Sequence, residues 1–267
     1  MKLSLVDAFT DVPFAGNPAA VCLLERDASA GWRQSLAREL GFSETAFLLP
    51  LGPEKVEIRW FTPTLEVDLC GHATLASAHF LREEGLAPAG VPIRFQSKSG
   101  ALFARGSAGR IELDFPEEAA VEVAAPEGLL PALGMEARWF GRNRLDYLAL
   151  AGSEAEVRGL RPDFAKLSVA GAAGRGVIVT ALSEDPRFDF VSRYFAPSAG
   201  IDEDPVTGSA HCCLGPFWAG RLAKKELRGF QASARGGEVA VRTGENGRVY
   251  LEGSAVTIFR GEVAVPE

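Results

Sequence analysis

The sequence predicts an α+β protein of two pseudo-symmetric αβ domains, each a curled mixed sheet around a central helix. Three observations carry that expectation: a segment that recurs at half the chain length, one apolar helical run in each half, and many short alternating segments elsewhere. Arg59-Trp-Phe-Thr-Pro-Thr-Leu-Glu-Val-Asp68 is echoed by Arg193-Tyr-Phe-Ala-Pro-Ser-Ala-Gly-Ile-Asp202, at an offset of 193 − 59 = 134 in a chain of 267. Arg59, Phe61, Pro63 and Asp68 meet identical residues at that offset. A match landing on half the length points to duplication.

The elements follow from periodicity. Val56, Ile58 and Trp60 alternate with polar residues as a half-buried strand should, and a Pro-containing loop follows. The Gly-free apolar run Ala73 to Leu81 then predicts a buried helix ending near Gly85. In the second half the same order reads as strand Phe188 to Phe195, loop Ala196 to Glu203 and helix Pro205 to Ala219. A helix apolar around most of its circumference must be surrounded by protein. Further strands are expected at Leu3 to Ala8, Ala19 to Leu24, Thr45 to Leu49, Ile93 to Gln96, Ala101 to Arg105 and Arg110 to Phe115. The second half adds Ala137 to Phe140, Asp146 to Leu150, Gly176 to Ala181, Leu227 to Gln231, Glu238 to Arg242, Arg248 to Glu252 and Ala255 to Arg260. Peripheral helices are expected at Ala30 to Leu40, closed by Gly41, and at Ser153 to Gly159, where Ser153 and Glu156 suggest a capping box. The Pro- and Glu-rich stretch Pro116 to Pro126 sets the boundary, giving domains 1–118 and 119–254, with the last strand, 255–267, free to return to the first.

Composition narrows the function. Hydrophobic residues at 47% and charged residues at 24% suit an ordinary globular protein. A net charge of −7 without a basic stripe argues against nucleic acid. The apolar runs are too short for a membrane span, and Met1 to Asp7 reads as a strand rather than a leader. Cys22, Cys70, Cys212 and Cys213 show no disulfide-scaffold spacing, which predicts reduced thiols in a cytoplasmic protein. With three histidines they offer no zinc-ligand spacing, so no metal is expected. The absence of a GxGxxG or P-loop before a helix predicts no cofactor.

Two helix starts carry the candidate chemistry. Cys70-Gly-His-Ala-Thr74 opens the first and Asp204-Pro-Val-Thr-Gly-Ser-Ala210 the second. First-turn amides and the dipole favour anions, and Gly71 and Gly208 permit close approach. If the two ends converge they would form a carboxylate cradle in an interdomain cleft, and the repeat offset sets Cys70 opposite Asp204. Each residue also has an ordinary reading. His72 suits a hydrogen-bonded helix histidine as well as catalysis. Asp204 before Pro205 is a normal N-cap, and Thr207, Gly208 and Ser209 could be loop and helix packing. Glu44 could be an exposed charge ahead of a strand, Cys70 a small apolar residue, and Asn17-Pro18 a turn.

In combination these segments are specific. Asp7 through Val21, Ser43-Glu-Thr-Ala-Phe47, Arg59 through Pro63, Leu69-Cys-Gly-His-Ala-Thr74, Phe195 through Ala210 and Gly253 through Gly261 resemble the phenazine-biosynthesis PhzF-like family over nearly the whole chain. The resemblance implies the diaminopimelate-epimerase-like fold, an active site between two αβ domains, and a homodimer. It implies an isomerase that moves a proton between carbons of a small carboxylate, as in trans-2,3-dihydro-3-hydroxyanthranilate isomerisation. Glu44 then holds the acid–base position, His72, Asp204 and Ser209 bind and polarise the substrate, and Gly71 and Gly208 line the carboxylate site. The diaminopimelate epimerase itself uses two opposed thiols, whereas here Asp204-Pro205 stands at the second helix start, which disfavours that mechanism. Two alternatives remain: a racemase or epimerase using Cys70 with a carboxylate partner, and a carboxylate-binding protein without turnover.

Overall fold

The computed structural model describes residues 1–52, 55–88, 90–107, 109–171 and 176–264. The chain divides into two compact units, Met1–Asp114 with Glu252–Glu267, and Phe115–Leu251. The expectation for 265–267 lies outside the described residues.

In the first unit, strand Lys2–Ala8 lies antiparallel to both Asn17–Leu23 and Ala255–Glu262, so the end of the chain pairs with its beginning. Asn17–Leu23 runs parallel to Glu44–Gly52, which pairs antiparallel with Lys55–Phe61. Lys55–Phe61 runs parallel to Ile93–Ser97, and the hairpin strands Gly100–Ser107 and Arg110–Pro116 continue the sheet. Helix Gly71–Glu83 packs on this mixed sheet with His72 through Ala78, Phe80 and Leu81 all buried. Burial on all sides is what its apolar composition requires. Its far end is tied to the returning strand, where Arg260 Nη2 donates to Glu83 Oε2 at 2.8 Å and His79 Nε2 lies 3.1 Å from Thr257 Oγ1. Helix Ala30–Leu40 starts where Ser29 Oγ accepts the Trp32 amide at 3.1 Å. It ends on Gly41, whose φ of 70° is the left-handed cap that glycine adopts without strain.

The second unit repeats the plan. Trp139–Arg142 and Tyr147–Leu150 are antiparallel, Val177–Leu182 joins in parallel, and Phe190–Phe195, Glu226–Gln231 and Gly237–Thr243 extend the sheet. Helix Gly208–Leu222 packs on the last two strands. Trp218 stacks on Phe190 with centroids 6.0 Å apart, and its indole N–H donates to Thr180 Oγ1 at 3.0 Å. Helices Leu129–Leu133 and Phe164–Ala170 were not expected from periodicity. The first is one turn long with Pro131 inside it; the second is announced only by Asp163, whose Oδ1 accepts the Lys166 amide at 3.1 Å. Helix Glu154–Gly159 has the expected Ser153 cap, but Glu156 reaches back to the amide of Gly152 at 2.6 Å rather than to that of Ser153.

One correction bears on the site. The second central helix begins at Gly208, not at Pro205, and its N-cap is Thr207. Counted from the N-caps Cys70 and Thr207, the helices are related by 207 − 70 = 137 residues, three more than the strands before them. The extra three lie in the intervening loop, which an arginine closes in both units. Arg59 Nε and Nη2 grip Glu66, seven residues on, at 2.6 Å each. Arg193 Nε and Nη2 grip Glu203, ten residues on, at 2.7 and 2.9 Å. A two-pronged arginine–carboxylate bond fixes both direction and distance, so each clamp sets where its helix starts. The longer loop holds a 3-10 turn, Pro197–Ala199. By helix register Cys70 therefore corresponds to Thr207 and His72 to Ser209, replacing the pairing of Cys70 with Asp204.

Candidate active site

Parallel pairing puts the beginnings of strands Asn17–Leu23 and Glu44–Gly52 at the same end of the first unit's sheet, with Ala19 opposite Glu44. Helix Gly71–Glu83 opens at that end, and three separate segments meet there. His72 Nε2 lies 3.3 Å from Glu44 Oε2. His72 Nδ1 lies 3.2 Å from Asn17 Nδ2 and 3.5 Å from Cys70 Sγ. The side chain of Glu44 is 14% exposed and that of His72 only 4%, and Glu44 Oε2 itself is buried. With Asn17 against Nδ1, the His72 Nε2 edge is the one turned to the carboxylate.

Asn17 is held by a short, tight connection. Gly16 has a φ of +65°, and a Cβ there would stand 2.2 Å from the carbonyl oxygen of Ala8. Asp7 Oδ2 accepts the Phe14 amide at 2.8 Å, fastening the same loop to the first strand. Asn17 itself is fully buried and begins a strand, so the turn expected at Asn17-Pro18 falls before it, where the Ala15 amide donates to the Val12 carbonyl at 3.3 Å. Its position was visible as an Asn-Pro motif, but its contact with His72 was not.

In the second unit, buried Asp204 organises the other helix start. Thr207 Oγ1 donates to Asp204 Oδ2 at 2.5 Å. Gln231 Nε2 donates to the Asp204 carbonyl at 2.7 Å while Gln231 Oε1 accepts the Thr207 amide at 2.8 Å. Gln231, a strand residue with no motif around it, was invisible to sequence reasoning. Gly208 is buried and Ser209 half-buried on the first turn. The Asp204 carboxylate is therefore a partner of the N-cap side chain and not itself the cap.

Both central helices share a feature that sets them apart from the peripheral helices headed by Ser29, Ser153 and Asp163. Those three N-cap side chains each accept a first-turn amide, whereas Cys70 and Thr207 make no such capping bond. Both N-cap carbonyls are instead engaged four residues on, by Thr74 Oγ1 at 2.5 Å and by His211 Nδ1 at 2.9 Å. Uncapped first turns present N–H groups and the positive end of a dipole. Burial pushes the His211 imidazole down to about 4, so it is neutral and structural. Burial likewise pushes the Cys213 thiol up to about 12, which removes it as a nucleophile.

Glu44, Cys70 and His72 bring one ligand atom each to within 4.8 Å of one another. Local sequence spacing predicted no metal, because one of these donors comes from a distant strand.

An α+β fold of two like units, with an acid, an imidazole and a thiol gathered at one helix start, defines the class: an epimerase-like α+β scaffold. The chain matches the family model of phenazine biosynthesis-like proteins over residues 6–261 and belongs to that family. It is 48% identical over 260 residues to an uncharacterized isomerase of Halalkalibacterium halodurans, covering 97% of each chain. It is 39% identical over 283 residues to phenazine biosynthesis-like domain-containing protein 1 of Mus musculus, covering 98% of each. A crystal structure of a PhzF-family protein from Enterococcus faecalis superposes with a TM-score of 0.92 at 39% identity, covering 99% of both chains. A probable proline racemase from Agrobacterium radiobacter, at 14% identity and a TM-score of 0.66 over 99% and 93% of the chains, shares the fold. The protein is accordingly an isomerase of the PhzF-like family. Among the described residues no helix is long and apolar enough to cross a membrane.

Proposed function

We propose that this isomerase moves a proton between two carbons of a small carboxylate substrate, with Glu44 as the acid–base residue. The observation that carries the reading is the 3.3 Å approach of His72 Nε2 to the carboxylate of Glu44, a side chain that stays partly exposed. Glu44 takes a proton from an activated carbon. The electron pair left behind shifts along the conjugated system, and the protonated Glu44 returns the proton to the second carbon. Atoms and charge balance without an added reagent. His72 orients the carboxylate, and Asn17 holds the imidazole in place. The first-turn amides at Gly71 and Gly208 receive the substrate carboxylate, and Asp204 and Ser209 bind its polar groups. A reaction like that of trans-2,3-dihydro-3-hydroxyanthranilate isomerase fits this set, and the family resemblance adds a homodimer working in the cytoplasm.

A second reading has its own support. Cys70 Sγ stands within 4.8 Å of a Glu44 oxygen, so a thiol and a carboxylate share one corner of the first unit. Deuterium uptake from heavy water, screened over candidate carboxylates, separates the two. Removing a positioned acid–base group costs ~10²–10⁴ in rate. Under the isomerase reading Glu44→Gln loses exchange on that scale, Cys70→Ser keeps most of it, and label migrates between carbons. A dead Cys70→Ser with inversion at a single carbon would establish the racemase instead. Exchange at the normal rate in both variants would sink both mechanisms.

A further inference from the structure

Trp60 is 1% exposed, and its indole Nε1 is closed to water with no hydrogen-bond partner among the described residues. A buried donor left unpaired costs about 1–3 kcal/mol. A buried tryptophan ordinarily finds an acceptor, as Trp218 does at Thr180 Oγ1. Trp60 lies directly opposite Ala46 across the antiparallel strands, so Glu44, two residues before Ala46, is its diagonal neighbour on the same face. Diagonal Cβ atoms stand ~7–8 Å apart, within reach of an indole and a long side chain. Phe47 and Phe61, at the alternate positions, pack with Trp32 and Ala37 of helix Ala30–Leu40. Trp60 and Glu44 therefore share the opposite face, the one on which His72 Nε2 approaches Glu44.

The second unit holds the counterpart. Tyr194, which matches Trp60 in the recurring segment, lies opposite Ile178, and Gly176, two residues before Ile178, stands in the place of Glu44. A Cβ at Gly176 would meet Tyr194 Oη at 2.5 Å, so the tip of that ring lies over the position. Tyr194 Oη donates at 2.8 Å to buried Asp146 Oδ1, and Asp146 comes one step before the parallel pair Tyr147 and Val177, beside Gly176. In the first unit the residue beside Glu44 is Ala19. A methyl group replaces the acceptor of the second unit, and a glutamate replaces the glycine.

We propose that Trp60 is a positioning residue for Glu44, its indole N–H being a second resting place for the carboxylate. Resting on the reading of Glu44 as the acid–base residue, the carboxylate turns between His72 and Trp60 as it carries a proton from one carbon of the substrate to another. A base that serves two carbons has to move, and at either place this carboxylate faces a nitrogen rather than hydrocarbon.

The contact is tested without substrate by nitrogen-15 NMR of the indole N–H groups in the full-length protein, the Trp60 signal, one of four, being assigned with Trp60→Phe. A donor shared with a carboxylate reports its ionisation, so the Trp60 signal should move with pH and Glu44→Gln should remove that step although His72 remains. A flat signal in the unmodified protein, or a step that persists in Glu44→Gln, would overturn the proposal. The role is read on a carboxylate that exchanges in heavy water. Trp60→Phe should slow migration between carbons ~10-fold, the worth of one hydrogen bond to a charged group, while uptake of deuterium at the first carbon is nearly unchanged. Trp60→Tyr, which restores a donor of the kind Tyr194 supplies, should recover migration. Equal loss of uptake and migration in Trp60→Phe, with a lower thermal midpoint and no rescue by Trp60→Tyr, would reduce Trp60 to packing and overturn the role. An inactive Glu44→Gln beside a flat Trp60 signal would leave the isomerase reading standing and remove this one. Normal exchange in Glu44→Gln would sink that reading and this role with it.

Discussion

His211 makes stability a function of pH in a way that can be worked out in advance. The ring is fully enclosed, its Nδ1 donates to the Thr207 carbonyl at 2.9 Å, and burial pushes its pKa from 6.5 to about 4. Its Nε2 lacks a hydrogen-bond partner in the structure, so nothing there rewards a second proton. Between those two values the unfolded chain binds a proton that the folded chain refuses, so stability rises with pH across the window. The contribution is fully present above about pH 6.5 and is lost progressively as the pH falls toward 4. Integrating that linkage gives a loss of about 2 kcal/mol between pH 7.5 and pH 5. His211→Asn keeps a donor near Nδ1 and removes the titration. Denaturant unfolding followed by fluorescence and circular dichroism, at several pH values on both proteins, isolates the term by difference. The unmodified protein should lose about 2 kcal/mol more than His211→Asn over that range. Parallel pH profiles would refute the reasoning and show that the ring is hydrated or protonated inside the fold.

Two structural predictions follow the same logic. Arg193→Ala removes a clamp of 9% exposure together with its bonds to the carbonyls of Val157 and Leu160 at 3.2 and 2.9 Å, and should cost about 3 kcal/mol in denaturant unfolding. Arg59→Ala, at a clamp with 21% exposure, should cost less, and equal losses would contradict the burial argument. Gly16→Ala forces a side chain into the left-handed region against the Ala8 carbonyl and should cost at least about 1–2 kcal/mol. A thermal midpoint unchanged from that of the unmodified protein would show that the loop can shift to admit it.

Much of the molecule was legible in its sequence because it rests on local physics. The apolar runs at Ala73 to Leu81 and through Ala219 in the second half had to be enclosed helices, although the latter starts at Gly208 rather than Pro205, and Gly41 and Ser153 had to end and begin others. The recurring Arg-x-Phe-x-Pro segment disclosed two like halves, and motif resemblance singled out Glu44 and His72. What sequence reasoning missed involves distance along the chain or a change in loop length. The offset of 134 holds for the strands but not for the helices, because three residues enter a loop whose ends are set by two arginine clamps. Only those contacts show that Cys70 corresponds to Thr207. Likewise Asn17, Glu44 and His72 belong to segments whose separation carries no period. Parallel strand pairing and one helix start bring them within hydrogen-bond reach, and Gln231 reaches Asp204 in the same manner. Periodicity and capping are properties of neighbouring residues and can be read in order. A site assembled from three segments exists only once the sheet register is set, which is why tertiary structure alone decided which side chains meet.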